Sequence, residues 1–339
     1  MKILRSGDID KISMMLWVSR RHFYFTLKHI TLRKLLNSFV CLFEMFTRRS
    51  KLYSHPLHLR VEVCSYCNLR CQGCLLGGMN YSESAPNHRK ERLMSYELFK
   101  NVVKDFLPYV YKISLFDEGE PLLNKDIYNM INYLSINNVC TCVSSNFSME
   151  LSDDTLKTMV TCGLEHLVVS VDGSTQERYS QYRRGGDLNL VINNIKRLIM
   201  IKKQHPPHSL KVELQFIDFD NNKQERDAVY KLSKTLGVCR FTVLQGCKRD
   251  KEMKFTGRPE DRRKRGCYEA WITAVINSRG ELGVCDFGED NGIPNIGIAP
   301  DYRLKKLRNH PVPIYLRKSF RDFSLPLNNV CASCTRYLR

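Results

Sequence analysis

Seven cysteines fall into two sets whose spacing suits metal chemistry. In residues 61–78, VEVCSYCNLRCQGCLLGG, Cys67, Cys71 and Cys74 stand at C-x3-C-x2-C spacing, just after an apolar, strand-like run. Three thiolates from one tight loop can hold three irons of a [4Fe–4S] cluster and leave the fourth iron open. Zinc is the rival, but a closed zinc site wants four ligands, commonly two C-x2-C pairs. Cys64, within the strand end, reads as a buried thiol. The second set is Cys267, Cys285, Cys331 and Cys334, the last two forming CASC. Four thiols in a C-terminal unit suit zinc or an Fe–S cluster equally on spacing alone.

The elements that must position these thiols can be traced along the chain. HLRVEV (58–63), YKISLF (111–116), VCTCVSS (139–145), HLVVSVD (166–172), KVELQFI (211–217) and RFTVLQ (240–245) read as strands, near-continuously apolar as a buried parallel sheet demands. Helical patterns lie between them, with start signals at Ser152, Asp153 and Asn222 and stop signals at Gly163 and Gly237. Strand–helix alternation implies an α/β fold with parallel pairing. Six units fall short of a closed eight-stranded barrel, so residues 56–246 are expected to form a partial, open (βα)6 TIM-like barrel. Chemistry in such folds gathers at the carboxyl strand ends. The cysteine loop, DEGEP, SNF and DGS follow the first four strands in turn.

Residues 247–339 read as a linker rich in Lys and Arg followed by a small C-terminal domain with a hairpin around Ser278-Arg279-Gly280. Residues 1–55 form a helical extension. Within it Leu32, Leu35, Leu36, Phe39, Val40, Phe43 and Phe46 recur at helical spacing, flanked by Arg33, Lys34, Arg48 and Arg49. Two placements suit this stripe: a membrane surface, or the protein's own barrel, the latter being favoured.

The chain has 339 residues, fourteen of them cysteine, and a formal net charge of +18. No signal peptide is visible, so a reducing cytosol is expected, where clustered cysteines mean metal or catalysis. Cytoplasmic placement, with peripheral contact to the inner membrane face as an option, follows. No apolar run is long enough to span a bilayer. The positive charge favours an anionic partner; nucleic acid is the weaker candidate because no recognition signature accompanies the charge.

VEVCSYCNLRCQGC resembles the cluster-binding motif of the radical S-adenosylmethionine (SAM) enzymes, and the resemblance extends over about residues 58–245. Gly73 stands where this superfamily often has an aromatic residue. DEGEP resembles the family's GGEP segment, which implies SAM contacts from Glu118, Gly119 and Glu120. SSN resembles its TNG element, which implies Ser145 and Asn146, although Phe147 replaces the glycine. SVDGSTQERYSQYRRGG resembles a segment of the SPASM/twitch subgroup, implying that Ser170 and Arg183 hold the SAM carboxylate. The C-terminal cysteines resemble the twitch domain, the shortened SPASM form, implying one auxiliary [4Fe–4S] cluster and two clusters in all.

The resemblance implies reductive cleavage of SAM to a 5′-deoxyadenosyl radical and hydrogen abstraction from substrate, with flavodoxin or ferredoxin as reductant. The expected enzyme is an oxidoreductase or epimerase acting on a carbohydrate-like, nucleotide-sugar or lipid-linked substrate, phosphorylation suiting the basic linker. A ribosomal-peptide maturase is the alternative, and a non-enzymatic metal-binding module the third reading. Cys247 is a candidate hydrogen donor; Asp218 and Asp286 are candidate bases.

Overall fold

A computed structural model describes residues 27–72, 74, 92–206, 210–246, 267–283, 285, 297, 307–322, 324–326 and 331. In chain order its elements are α1 (Leu32–Phe46), β1 (His58–Val61), α2 (Tyr96–Val103), β2 (Lys112–Ser114), α3 (Ile127–Ile136), β3 (Cys140–Ser145), α4 (Asp153–Thr161), β4 (His166–Ser170), α5 (Gln176–Tyr182), α6 (Leu188–Gln204), β5 (Lys211–Asp218), α7 (Arg226–Thr235), β6 (Arg240–Gln245), α8 (Glu269–Ile272), β7 (Thr273–Ile276), β8 (Leu282–Gly283) and α9 (Pro311–Arg321). The fold is α/β. One sheet of eight strands runs β6-β5-β4-β3-β2-β1-β7-β8, parallel throughout except for the antiparallel β7–β8 pair.

Local chemistry explains most element ends. The Ser152 hydroxyl accepts the Thr155 N–H and caps α4. Gly163 and Gly237 close α4 and α7 with φ of +92° and +71°, a region open to glycine. Asn222 does not act as the expected helix start. Its Oδ1 accepts the Phe219 N–H and its Nδ2 donates to the Asp172 and Ile217 carbonyls, so a 3-10 turn intervenes and α7 begins at Arg226.

The parallel register sorts the strands into two faces. Leu59, Ile113, Val143, Leu167, Val212 and Leu214 belong to the hydrophobic core. The opposite face carries His58, Arg60, Lys112, Ser114, Cys142, His166, Glu213 and Arg240, in matching register. Its members are linked: His58 to Ser114 at 2.9 Å, Cys142 Sγ to His166 Nδ1 at 3.5 Å, and His166 Nε2 to Glu213 at 3.0 Å. The strands thus alternate where continuous apolar runs were expected, because one face is polar and its buried groups Ser114, Cys142, His166 and Glu213 are paired.

The hairpin foreseen near residue 280 forms, and it extends the main sheet. β7 lies parallel to β1, from His58↔Thr273 to Val61↔Ile276. α1 crosses the amino ends of the strands. Successive contacts run from His29 to Glu165 before β4, Lys34 Nζ to the Asn138 carbonyl before β3, Ser38 to Tyr111 before β2, Asn37 to His55 before β1, and Cys41 to the Trp271 carbonyl before β7. The helix therefore packs on the protein, but through its polar edge. Lys34, Asn37, Cys41 and Glu44 are buried, whereas the leucine–phenylalanine stripe faces outward.

Candidate functional site

The expected site residues gather at the other end of the sheet, beyond the carboxyl ends of β1 to β5. The loop carrying Cys67, Cys71 and Cys74 is fastened from three sides. The Arg70 and Gln72 N–H groups donate to the Arg184 and Tyr182 carbonyls after β4, at 2.9 and 3.0 Å. Asn68 Nδ2 donates to the Ser148 carbonyl at 2.7 Å, and Asn146 Nδ2 donates to Asn68 Oδ1 at 2.8 Å, both after β3. The third fastening comes after β2. A Cβ on Gly119 would lie 2.1 Å from the Cys64 carbonyl oxygen, so only glycine lets these two backbones meet. The Glu120 N–H, next in sequence, donates to the Tyr66 carbonyl.

Asn146 Nδ2 also reaches Cys67 Sγ at 3.6 Å, and an Arg183 terminal nitrogen lies 3.8 Å from Cys71 Sγ. Arg183 Nε donates to buried Asp172 at 2.6 Å, and the other Asp172 oxygen accepts the Ile217 N–H. The carboxylate thus fixes the guanidinium against the thiol loop. Tyr182 lies beneath the guanidinium carbon at 5.3 Å and tilts against Phe219.

Burial pushes the Cys67 thiol up to about 12; the Glu120 carboxyl and the Cys71 and Cys74 thiols add to the shift. Burial also raises Cys71, although Arg183 pulls the other way. A cationic group bound in the loop would favour the thiolate forms of Cys67 and Cys71 against this burial. Burial lifts Glu120 to about 7 against the opposing Asn146 N–H, Ser145 side chain and Leu122 N–H. Glu120 accepts the Asn146 N–H at 2.8 Å and the Leu122 N–H at 3.1 Å, binding the second strand end to the third.

Ser145 is buried, its Oγ accepting the Phe147 N–H, and Ser170 is buried at the end of β4. Glu118 is half-buried in the turn after β2. Phe147, in the place of the family's glycine, adopts φ +58°, the left-handed backbone a glycine would take freely, with its ring fully buried. Asp218 ends β5 beside Arg226, 3.7 Å away, and its carbonyl accepts the Gly246 N–H.

The C-terminal cysteines lie elsewhere in the fold. Cys267 precedes α8, half-buried against the core; Cys285 follows β8; Cys331 is buried in the core. Cys247, Asp286 and Cys334 lie outside the described residues. Asp172, Asn68 and Ser148 were not singled out from sequence. Asp172 stands in the SVDG stretch, and its acid type beside Arg183 was the available signal.

The fold is a parallel α/β sheet with a three-thiol loop and an Arg183–Asp172 pair at its carboxyl edge, a set of groups that could hold a cofactor. Residues 61–203 match the family model of the Radical SAM superfamily. GTP 3′,8-cyclase of Clostridium botulinum (strain Hall) is 32% identical over 145 residues, 42% of this chain and 44% of the cyclase. The chain thus matches less than half the length of that curated relative. Among solved structures, Streptococcus suis SuiB bound to S-adenosylmethionine superposes with TM-score 0.63 at 14% identity, covering 91% of this chain and 74% of SuiB. BtrN in complex with AdoMet and 2-DOIA superposes with TM-score 0.51 at 15% identity, covering 83% and 94%. Both likenesses concern the fold.

Proposed function

We propose that this chain is a radical SAM enzyme whose sheet curls into a partial barrel around a polar substrate. Cys67, Cys71 and Cys74 hold a [4Fe–4S] cluster with one iron open for SAM. When bound, the cluster supplies the electron for reductive cleavage of SAM, the source of the radical that takes hydrogen from substrate. The chain's own groups bind and orient. Gly119 lets the second strand end meet the thiol loop, and Glu120 ties it to the third. Asn146 lies against Cys67. Arg183, held by Asp172, offers a guanidinium fork to the SAM carboxylate, with Ser170 beside it and Glu118 and Ser145 completing the rim.

The observation carrying this reading is the thiol loop fastened to three strand ends, with the Arg183–Asp172 pair 3.8 Å from Cys71 Sγ, inside a matched radical SAM domain. Cys267, Cys285, Cys331 and Cys334 are proposed to hold a second, auxiliary cluster in a twitch-like domain. Support comes from their number and from β7 and β8, which bring Cys267 and Cys285 close to the sheet beside β1.

For the substrate we favour a small, anionic carbohydrate-like or nucleotide molecule. The net charge of +18 supports an anionic substrate. The relatives' name, GTP 3′,8-cyclase, points to a nucleotide in the same sense. Oxidation, with the auxiliary cluster as electron acceptor, is the favoured outcome, with Asp218 as base.

Anaerobic reconstitution tests the proposal. Two cubane clusters predict about eight irons per chain, a cubane absorption band, and 5′-deoxyadenosine formed from SAM under reductant. The Cys67→Ala/Cys71→Ala/Cys74→Ala variant is expected to keep about half the iron and to form none. Product formation by that variant, or wild-type protein that binds zinc without SAM turnover, overturns the reading.

A further inference from the structure

Among the described residues, the stripe of large apolar side chains on α1 is left exposed. Ten of the fourteen large hydrophobic residues exposed among the described residues lie between Leu27 and Tyr53. They form a patch, whereas scattered exposed leucines would need no explanation. Leu32, Phe39 and Phe46 are 73%, 64% and 64% exposed. Leu36, Val40 and Phe43 fall on the same helix face.

Hydrogen bonds on the opposite edge commit the helix to this orientation. Lys34 Nζ donates to the Asn138 carbonyl, and Asn37 exchanges two bonds with the His55 backbone, at 3.1 and 2.8 Å. Glu44 accepts from the Tyr53 and Ser54 N–H groups and the Ser54 hydroxyl. Rolling the apolar face inward would strand all of these buried groups.

Charge selects the occupant. Arg33, Arg49 and Lys51 are exposed around the stripe, and Arg49 lies over the Phe43 ring at 5.3 Å. Glu44 is the sole carboxylate between residues 27 and 53, and it is buried. A second copy would bring the same basic rim against itself. Residues 1–26 carry five Lys or Arg against two Asp, so they add positive charge and offer no complement to the rim. No helix among the described residues is long and apolar enough to cross a membrane.

We propose that the outward face of α1 seats the protein on an anionic phospholipid surface, with its aromatic and leucine side chains at the headgroup–acyl boundary and Arg33, Arg49 and Lys51 among the phosphates. The seat lies at the amino ends of the strands. The cysteine loop, at the carboxyl ends, faces away from the bilayer.

The test is flotation of the full-length, reconstituted protein with vesicles of phosphatidylcholine alone or mixed with phosphatidylglycerol. Wild type is expected to float with the mixed vesicles and to be released by salt. Leu36→Gln/Phe39→Gln/Phe43→Gln, whose side chains are outward, should keep its helix content and iron while losing about tenfold or more in partitioning. Arg33→Gln/Arg49→Gln should weaken binding to the mixed vesicles alone, by roughly tenfold, and flatten the salt dependence. The proposal is overturned by wild type that stays unbound, as it would if residues 1–26 covered the stripe. It is equally overturned by variants that partition like wild type, or by light scattering showing that the glutamine variant breaks a wild-type dimer. None of these outcomes depends on SAM turnover.

Discussion

Gly119 shows how much of the site hangs on single side chains. Gly119→Ala would drive a methyl group into the Cys64 carbonyl, 2.1 Å from the ideal Cβ, and backbone cannot step aside as a flexible side chain would. The expected result is a loss of about 2 kcal/mol or more in stability and poor iron retention, read by thermal unfolding and iron content. Asp172→Asn tests the pairing beside it. The variant keeps a hydrogen-bond acceptor for Arg183 but removes the charge that fixes the guanidinium, so iron content should persist while SAM binds about tenfold more weakly in equilibrium dialysis. Iron loss in this variant would assign Asp172 to the scaffold alone. The three cysteines were legible because their spacing is local. Asp172 was not, since its partners are Arg183 on one side and the Ile217 N–H on another strand, and only the parallel register of β4 with β5 brings these together.

At the scale of elements, every strand from β1 to β6 was legible, because short β-branched and aromatic runs bounded by helical patterns leave little choice. That β7 would take the free edge of β1 was not, since a hairpin carries no record of its outer neighbour. The period of α1 was also legible, whereas its orientation depends on distant residues. Arg308 donates to the Ser54 carbonyl and Arg317 to the Ser50 carbonyl, at 2.7 Å each. Both buried guanidinium groups feel Glu44 as an opposing charge. Glu44→Gln would leave them uncompensated, and a loss of about 3 kcal/mol is expected in thermal unfolding. Lys34 provides a pH test of the same edge. Burial lowers its ammonium group from 10.5 to about 8, with Cys140 pulling the other way. Between about 8 and 10.5 the unfolded chain binds the extra proton, so Lys34 makes stability rise with pH across that window and imposes its full penalty below it. Lys34→Met should flatten the rise, measured as the difference from wild type in unfolding midpoint between the two ends of the window. An unchanged slope would mean that the ammonium group is solvated.

Across the whole molecule the sheet has two chemically distinct ends. The carboxyl ends carry the thiol loop, Glu120, Asn146 and Arg183; the amino ends carry α1 and its apolar stripe. Everything between is strand, and the strands are too short to bend the two ends toward one another. β3, six residues long, joins the Lys34–Asn138 contact at one end to the Asn146–Cys67 contact at the other. A bilayer touching α1 therefore has no route to the cysteine loop, and a substrate embedded in that bilayer would lie on the wrong side of the sheet. This polarity disfavours a lipid-linked substrate and favours a soluble one. It also predicts that anionic vesicles sufficient to bind all of the protein leave the rate of 5′-deoxyadenosine formation from SAM unchanged within about twofold, because among the described residues the hydrogen bonds of α1 reach the amino ends of the strands and not the proposed SAM site. Cleavage that stops on vesicle binding, or that rises several-fold with it, would mean that the two ends communicate through the sheet, most directly along β3, and that the seat is part of the catalytic cycle.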